Sequence, residues 1–392
     1  MKKNIKKIKK ALTGGAASAE ALRQINPDVA PVYPITPQTP IIESFAKFCA
    51  DGKADAEIIT VESEHSAISA AVGSQAAGAR TITATSSQGL ALMNEILYIA
   101  SGLRLPITML ISARALSAPI NIHGDHSDVM GARDTGWIQL FSENSQEVYD
   151  NTIIGTKLAE KSELPIMVIM DGFTTSHSVE NLETLPDNVV KKFVGNYKNK
   201  NALLNIKKPR TYGPVSLPDS YFEFKIDQEK AMNEVLENYK EIAKEFKETA
   251  GTNYKLFEEY KSKDAEHIII VAGSTAGTAK DVVDKLREKG EKVGIIKIKL
   301  FRPFPRVEIA KVISKAKNIS VMDRAISFGS VPPLYSEIIN VAHIKELKNI
   351  NIGSYVYGLG GRDIFASNIE EVFENMIKGE ELGKINYIGN KK

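Results

Sequence analysis

Runs of apolar and polar residues divide the chain into repeated strand–helix units. Ile58–Val61 is a short apolar run ending on Glu62-Ser63-Glu64, and an alanine-rich segment, Ala67–Ala77, follows it and closes at Gly78. Thr81–Thr85 is a second β-rich run that leads into Ser86-Ser87-Gln88-Gly89. A helical pattern then carries the chain to a third run, Ile107–Ser112, just before Arg114. Short apolar runs bounded by turn residues and spaced by helix-length segments predict parallel strands with crossover helices. In open α/β sheets ligands bind at the carboxyl ends of the strands. Glu64 and Arg114 both fall at such ends, and the pattern assigns them to one buried site.

The same reading extends along the chain. Ala16–Gln24 is a helix broken by Asn26-Pro27, and Asp28–Tyr33 is a strand. Pro34-Ile35-Thr36-Pro37-Gln38-Thr39-Pro40 holds three prolines in seven residues, which fix φ and forbid both helix and central strand. The result is a stiff loop before a helix over Pro40–Phe48. Ala115–Thr135 is a long polar loop without periodicity, of a length that is usually functional. Trp137–Phe141 and Pro165–Met170 are strands flanking a helix over Gln146–Lys161. Together these units predict a mostly parallel, doubly wound sheet. Val179–Lys225, with Pro186, Pro209, Pro214 and Pro218, reads as a connecting arm. Lys230–Lys261 reads as a helix with Met232, Leu236, Tyr239, Ala243 and Phe246 on one face, lying across its own surface or a partner's. Glu266 opens a second α/β module with strands over Ile268–Ala272, Val293–Lys299, Asn318–Met322 and Ile350–Tyr357. Its last helix covers Asn368–Ile377, and the lysine-rich end is expected to fray. The expected division is residues 1–225, a connecting helix 226–262, and residues 263–392.

Composition narrows the function classes. The 392 residues are 43% hydrophobic with a net charge of +2, so no global field favours nucleic acid. The six lysines in Met1–Lys10 read as a solvated, frayed tail or as a docking tail for an acidic partner. Ala11–Ala21 lacks the apolar core of a secretory signal, and no run is long enough for a membrane helix. One cysteine, Cys49, permits no intrachain disulfide, which suits the cytoplasm. It also excludes an iron–sulfur cluster held by this chain alone, since such clusters usually need four thiolates.

Individual residues leave alternatives open. A glutamate at a helix start, as Glu64 is, sits favourably in the helix dipole and serves either as a capping aid or as a group at a cleft. Glu57 and Glu62 are its neighbours and read as solvated. Arg114 is either half of a structural ion pair or a bidentate clamp for a carboxylate. Thr36 is a rigid hydroxyl or an N-cap. Asn121-Ile122-His123-Gly124-Asp125-His126-Ser127-Asp128 has the residue types of a metal site but not the spacing, and reads better as a hydrogen-bonded active-site loop. Gly273–Gly277, at a helix N-terminus, is a plain turn or an anion cradle, without G-x-G-x-x-G. The small residues of the Ala67–Ala77 helix permit close packing on the sheet or on a second chain.

Taken together, Tyr33-Pro34-Ile35-Thr36-Pro37, Val61-Glu62-Ser63-Glu64-His65, Ala84–Leu90, Arg133–Trp137 and Asp323–Gly329 resemble the α subunit of pyruvate:ferredoxin oxidoreductase over nearly the whole chain. The resemblance implies a pyrimidine-type thiamine-diphosphate domain followed by a transketolase C-terminal-like domain. It implies that Glu64 faces N1′ of the aminopyrimidine, that Arg114 holds the substrate carboxylate with Thr36 beside it, and that Pro34, Ile35, Ser87 and Gln88 contact the cofactor. A β subunit would supply the diphosphate–Mg2+ half of the site. That fits Asp171-Gly172, where Met170 stands in place of the first glycine of a Gly-Asp-Gly diphosphate motif. This chain would have no metal site of its own. [4Fe-4S] clusters would sit on the β and a ferredoxin-like δ subunit, with a γ subunit completing the complex. Pyruvate, coenzyme A and ferredoxin would be the reactants. A branched-chain 2-oxoacid enzyme such as the 2-oxoisovalerate oxidoreductase shares the Tyr33–Pro40 loop, and a non-catalytic scaffold subunit is the reading of a different class.

Overall fold

The computed structural model describes residues 5–348, 350–380 and 383–391. Its strands in chain order are β1 (Ile8–Thr13), β2 (Val29–Val32), β3 (Glu57–Thr60), β4 (Ile82–Thr85), β5 (Thr108–Ala113), β6 (Ile138–Phe141), β7 (Ile166–Asp171) and β8 (Val179–Thr184). The second module adds β9 (Phe257–Tyr260), β10 (His267–Ala272), β11 (Val293–Ile298), β12 (Leu300–Arg302), β13 (Asn318–Asp323), β14 (Asn351–Val356) and β15 (Ile385–Tyr387).

The first module is built on a sheet of order β12-β6-β7-β5-β4. β2 and β3 form a parallel pair that a single bridge, Val29 to Thr81, joins to it. Pro31 has no N–H to give the ladder, and the Thr83 hydroxyl donates to its carbonyl at 2.8 Å instead. Side chains alternate across the sheet as period-two geometry requires. Ile82, Ala84, Leu110, Val168 and Met170 pack with Leu22, Ile41, Phe45 and Val148 on one face. Met109, Ile111, Ala113, Met167 and Ile169 pack with Ala67, Ala71, Leu90 and Leu97 on the other. Helices cover both faces, so the doubly wound α/β reading stands.

The second module has the order β15-β14-β13-β10-β11-β9, parallel except for β9. One face carries the helices Thr275–Glu288 and Ala366–Lys378. On the other, Ile268, Ile270, Ile296, Ile319 and Val321 join the same core as the first module.

Several expectations change. Ile8–Lys10 is not a frayed tail: it lies in β1, antiparallel to β8, and Met1–Asn4 lie outside the described residues. The arm after Val179 is less irregular than its prolines suggest, since it supplies β8 and a helix over Asp187–Val194. The long helix covers Tyr221–Ala250 rather than reaching Lys261. Gly251, at φ 80°, takes the left-handed position that closes a helix, and Phe257–Tyr260 becomes an edge strand. The proline-rich stretch Phe301-Arg302-Pro303-Phe304-Pro305, which by its prolines alone would be a stiff loop, begins in β12, which crosses into the first sheet beside β6. The carboxyl end is not wholly frayed either, because β15 extends the second sheet.

Candidate active site

Parallel strands put their carboxyl ends on one edge. Thr36 follows β2, Glu64 follows β3, Ser87 follows β4, Arg114 follows β5, and Asp171 ends β7. The helix Glu64–Ala77 is started by Ser63, whose hydroxyl accepts the Ser66 N–H at 3.2 Å. That cap fixes Glu64 in the first turn, where the dipole favours a carboxylate. Glu64 is only 7% exposed, yet among the described residues no hydrogen bond or ion pair reaches its carboxylate. Glu62 is exposed and is held below its usual range by a hydrogen bond from Ser66; Glu57 is exposed as well. Gly89 faces Glu64: a Cβ there would lie 2.7 Å from Glu64 Oε1 and 2.4 Å from Thr85 Oγ1. The helix Ser87–Leu92 therefore lies against the carboxylate as closely as a backbone can.

Arg114 is buried at the end of β5. Its Nη1 donates to the Thr36 carbonyl at 2.8 Å and its Nε to the Asn121 carbonyl at 2.7 Å. Nη2 is left without a partner among the described residues. Burial pulls the guanidinium below its ordinary value, and nearby Asp128 pulls it partly back. A buried cation held by carbonyls, with a free donor and no ion pair among the described residues, can receive an anion. Thr36 itself is exposed on the edge, with Pro34 exposed and Ile35 half-buried beside it. Gln38 turns this loop, accepting the Ile35 N–H at 3.4 Å.

Asp128 joins the two sides. Its Oδ2 accepts the N–H of Ser87 at 2.8 Å and that of Arg114 at 3.0 Å, while Oδ1 accepts the Val129 N–H at 2.7 Å. Burial pushes the carboxyl up to about 7 against these three donors. Ser87 has φ 51°, a strained conformation for a non-glycine residue that clusters at functional sites. Its hydroxyl donates to the Ala115 carbonyl at 2.5 Å, and Gln88 Nε2 donates to Ser117 Oγ at 2.7 Å. Glu64, facing Gly89, is thus linked to Arg114 through the segment Ser87–Gly89 and the carboxylate of Asp128.

The polar loop after Arg114 is bound by hydrogen bonds. His126 Nε2 lies 2.6 Å from Asp171 Oδ1, and Asp125 Oδ1 accepts from Ser127. Asp171 does more than end a strand. Its Oδ2 accepts from the Ser274 N–H at 2.9 Å, the Ser274 hydroxyl at 2.5 Å and Arg324 Nη1 at 3.0 Å. The helix N-terminus after Gly273 does hold an anion, and that anion is Asp171 of the same chain. Burial alone would raise this carboxyl, but His126 and Arg324 hold it well below the usual range. Asp323, the neighbour of Arg324 in the Asp323–Gly329 motif, caps the helix Pro333–Ile344 by accepting the N–H groups of Leu334 and Tyr335. Gly89, Asn121 and Arg324 fall in segments that the sequence singles out, but their individual roles and that of Asp171 depend on partners far along the chain: Glu64 for Gly89, Gly360 for Asn121, and Arg324 and Ser274 for Asp171. The local signals are the polar texture of 121–128 and the motifs Ala84–Leu90 and Asp323–Gly329.

Away from this edge, Glu143, Glu147 and Glu258 approach closely enough to hold a cation. Lysines already fill the space: Lys297 pairs with all three, Lys299 with Glu147, and Lys280 with Glu143 and Glu258. Burial would raise Glu147, but Lys299 and Lys297 lower it to about 2.

A family profile described as pyruvate flavodoxin/ferredoxin oxidoreductase, thiamine diphosphate-binding, matches residues 20–244, and one described as pyruvate:ferredoxin oxidoreductase core domain II matches residues 265–369. The pyruvate synthase subunit PorA of Thermotoga maritima is 54% identical, covering 94% of both chains. The PorA of Methanocaldococcus jannaschii is 43% identical over 95% of this chain and 96% of its own. The ketoisovalerate oxidoreductase subunit VorA of Pyrococcus abyssi is 40% identical over 97% and 96%. Among solved structures, 2-oxoglutarate:ferredoxin oxidoreductase from Magnetococcus marinus superposes with a TM-score of 0.70 at 21% identity, covering 94% of this chain and 65% of that one. A split-gene transketolase superposes at 0.57 with 10% identity; both likenesses concern the fold. The chain belongs to the pyruvate:ferredoxin oxidoreductase family and is one subunit of a multi-subunit oxidoreductase of the thiamine-diphosphate class.

The residues present fit the aminopyrimidine end of that cofactor. Glu64 offers a buried, unpartnered carboxylate behind a glycine. Among the described residues Thr85 Oγ1, Ser86 Oγ, Ser112 Oγ and Gln38 Nε2 are buried without hydrogen-bond partners in the same strand-end region, although buried polar groups are normally satisfied.

Proposed function

We propose that this chain is the α subunit of a pyruvate:ferredoxin oxidoreductase. The enzyme decarboxylates pyruvate oxidatively with coenzyme A, giving acetyl-CoA and CO2, and its electrons pass to ferredoxin. The single observation that carries the site assignment is the pairing, on one strand-end edge, of a buried free carboxylate with a buried cation that has no ion pair. Thiamine diphosphate, when bound, supplies the electron sink for decarboxylation. Glu64 holds a proton against N1′ of its aminopyrimidine, a placement that burial and the helix dipole make specific. Ser87 and Gln88, with Pro34 and Ile35 across the edge, wall this end of the ring. Arg114 receives the 2-oxoacid carboxylate through its free Nη2, and Thr36 lies beside it to hydrogen-bond the same substrate.

Residues 1–225 form the pyrimidine-binding domain, 226–262 the connection, whose last strand, β9, joins the second sheet, and 263–392 the transketolase C-terminal-like domain. A β subunit supplies the diphosphate and Mg2+ contacts. [4Fe-4S] clusters sit on that chain and on a ferredoxin-like δ subunit, with γ completing a cytoplasmic complex. The lone, half-buried Cys49 supports this division of labour, because four thiolates must come from elsewhere. A branched-chain 2-oxoacid is the second substrate reading, favoured by the VorA relatives at 40–41% identity. The test is purification of the untagged complex from its native source, with co-eluting chains, thiamine diphosphate and iron identified. The complex is then assayed on a panel of 2-oxoacids with coenzyme A and a one-electron acceptor. Pyruvate should have the highest kcat/KM. A branched-chain acid in first place would transfer the assignment to the second reading, and turnover by this chain alone would refute the shared site.

A further inference from the structure

The second module reaches the substrate side of the first through a glycine turn. Gly358, Gly360 and Gly361 have φ of 63°, 57° and 77°, positions that side chains rarely adopt. A Cβ on Gly360 would lie 2.4 Å from Asn121 Nδ2, and one on Gly361 2.3 Å from His123 Cβ. The turn is therefore pressed backbone-first onto the loop that follows Arg114. Two hydrogen bonds hold it there: Asn121 Nδ2 donates to the Gly360 carbonyl at 2.9 Å, and the Gly360 N–H donates to Asp125 Oδ2 at 3.0 Å. Asn121 is also the residue whose carbonyl accepts Arg114 Nε at 2.7 Å. Its Oδ1 accepts the His123 N–H at 2.7 Å, which closes the local turn. Further along the loop, the His126 N–H donates to the Arg324 carbonyl at 2.8 Å, beside the buried Asp171 contacts.

Arg114 is thus fixed from two directions. One carbonyl comes from the proline loop of the first module, the other from a loop that the second module holds. A guanidinium recognises a carboxylate through a planar fork, so its orientation matters as much as its charge.

We propose that Asn121 and Gly360 are a positioning pair that sets the Arg114 fork for the 2-oxoacid carboxylate, so that the second module shapes substrate binding without touching the substrate. This rests on the reading of Arg114 as the carboxylate clamp. Asn121→Ala and Gly360→Ala in the assembled complex should each raise KM for pyruvate roughly tenfold, because small misplacements at such sites are costly. Turnover at saturation should change less than about threefold, and bound thiamine diphosphate per chain should not change.

A merely structural defect would add independently to other changes, whereas positioning through Arg114 would not. In an Arg114→Lys background, where no fork remains, Asn121→Ala should therefore cost less than about twofold. An unmoved KM in Asn121→Ala, or a full penalty that persists in the Arg114→Lys background, would overturn the proposal. Asn121→Ala introduces no clash, so it decides the question even if Gly360→Ala fails to assemble. Arg114→Lys alone separates the two levels: an unchanged KM there refutes the clamp itself, whereas a raised KM beside an unmoved Asn121→Ala refutes only the relay.

Discussion

The carboxylate of Asp171, at the end of β7, sits on the N-terminus of the helix Thr275–Glu288, 2.9 Å from the backbone nitrogen of Ser274. A strand end of one module thereby caps a helix of the other. The two sheets also share one apolar core and a crossing strand, so the strand-end edge that carries Glu64 and Arg114 is braced by residues far from it in sequence.

Asp171→Asn should destabilise the chain by on the order of 3 kcal/mol, because it leaves the buried Arg324 without its charge partner. The native contribution has a defined pH window. A carboxyl held below its ordinary value stabilises the fold above about pH 4 and loses that effect as pH falls. Thermal unfolding of the complex between pH 3 and 7 measures this. The variant should show a lower midpoint at pH 7 and a shallower acid decline, and equal midpoints would contradict the account.

Asp128 gives the opposite slope. Its carboxyl is raised to about 7, so the folded chain keeps a proton that the unfolded chain releases above about pH 4. Its contribution is present below pH 4 and is lost as pH rises through 7, at about 1.4 kcal/mol per pH unit. Asp150 and Asp323 are raised to about 7 as well. Asp128→Asn should therefore flatten the stability profile between pH 4 and 7 by one proton's worth and leave the rest. An unchanged slope in hydrogen exchange or thermal unfolding would count against the assignment.

Gly89→Ala tests the closeness of the helix Ser87–Leu92 to Glu64. The added methyl would meet Glu64 Oε1 at 2.7 Å and Thr85 Oγ1 at 2.4 Å. Overpacking of this kind costs ~1–3 kcal/mol, and here the strain falls on the carboxylate. Turnover should drop by roughly 5- to 150-fold, by the arithmetic that about 1.4 kcal/mol is a factor of ten, while the subunits remain assembled. Native turnover in a purified Gly89→Ala complex would show that Glu64 has room to spare.

Much of this architecture is legible in the chain itself. β5 and β7 are short runs buried on both faces, and Glu64, Ser87 and Arg114 stand just past strand ends where a parallel sheet gathers ligand groups. What escapes is non-local. β1 is lysine-rich and β8 reads Val-Glu-Asn-Leu-Glu-Thr, so neither carries the apolar signature of a strand until the two pair. β12 lies next to Pro303, which argues locally for a loop. The helix end at Gly251 was hidden because Tyr254, Leu256 and Phe257 continue an apolar rhythm past it. The contacts of Asp171 with Ser274 and Arg324 span more than 100 positions, beyond what local spacing can encode.

The most direct test of the role given to Glu64 is the rate at which the C2 proton of bound thiamine diphosphate exchanges with solvent in the assembled complex, native against Glu64→Gln. Loss of a positioned acid–base group typically costs 10²–10⁴-fold. Exchange in the variant should fall by at least about 100-fold with cofactor content and subunit composition unchanged. Exchange at the native rate would contradict the account and leave this chain as a scaffold for chemistry done elsewhere.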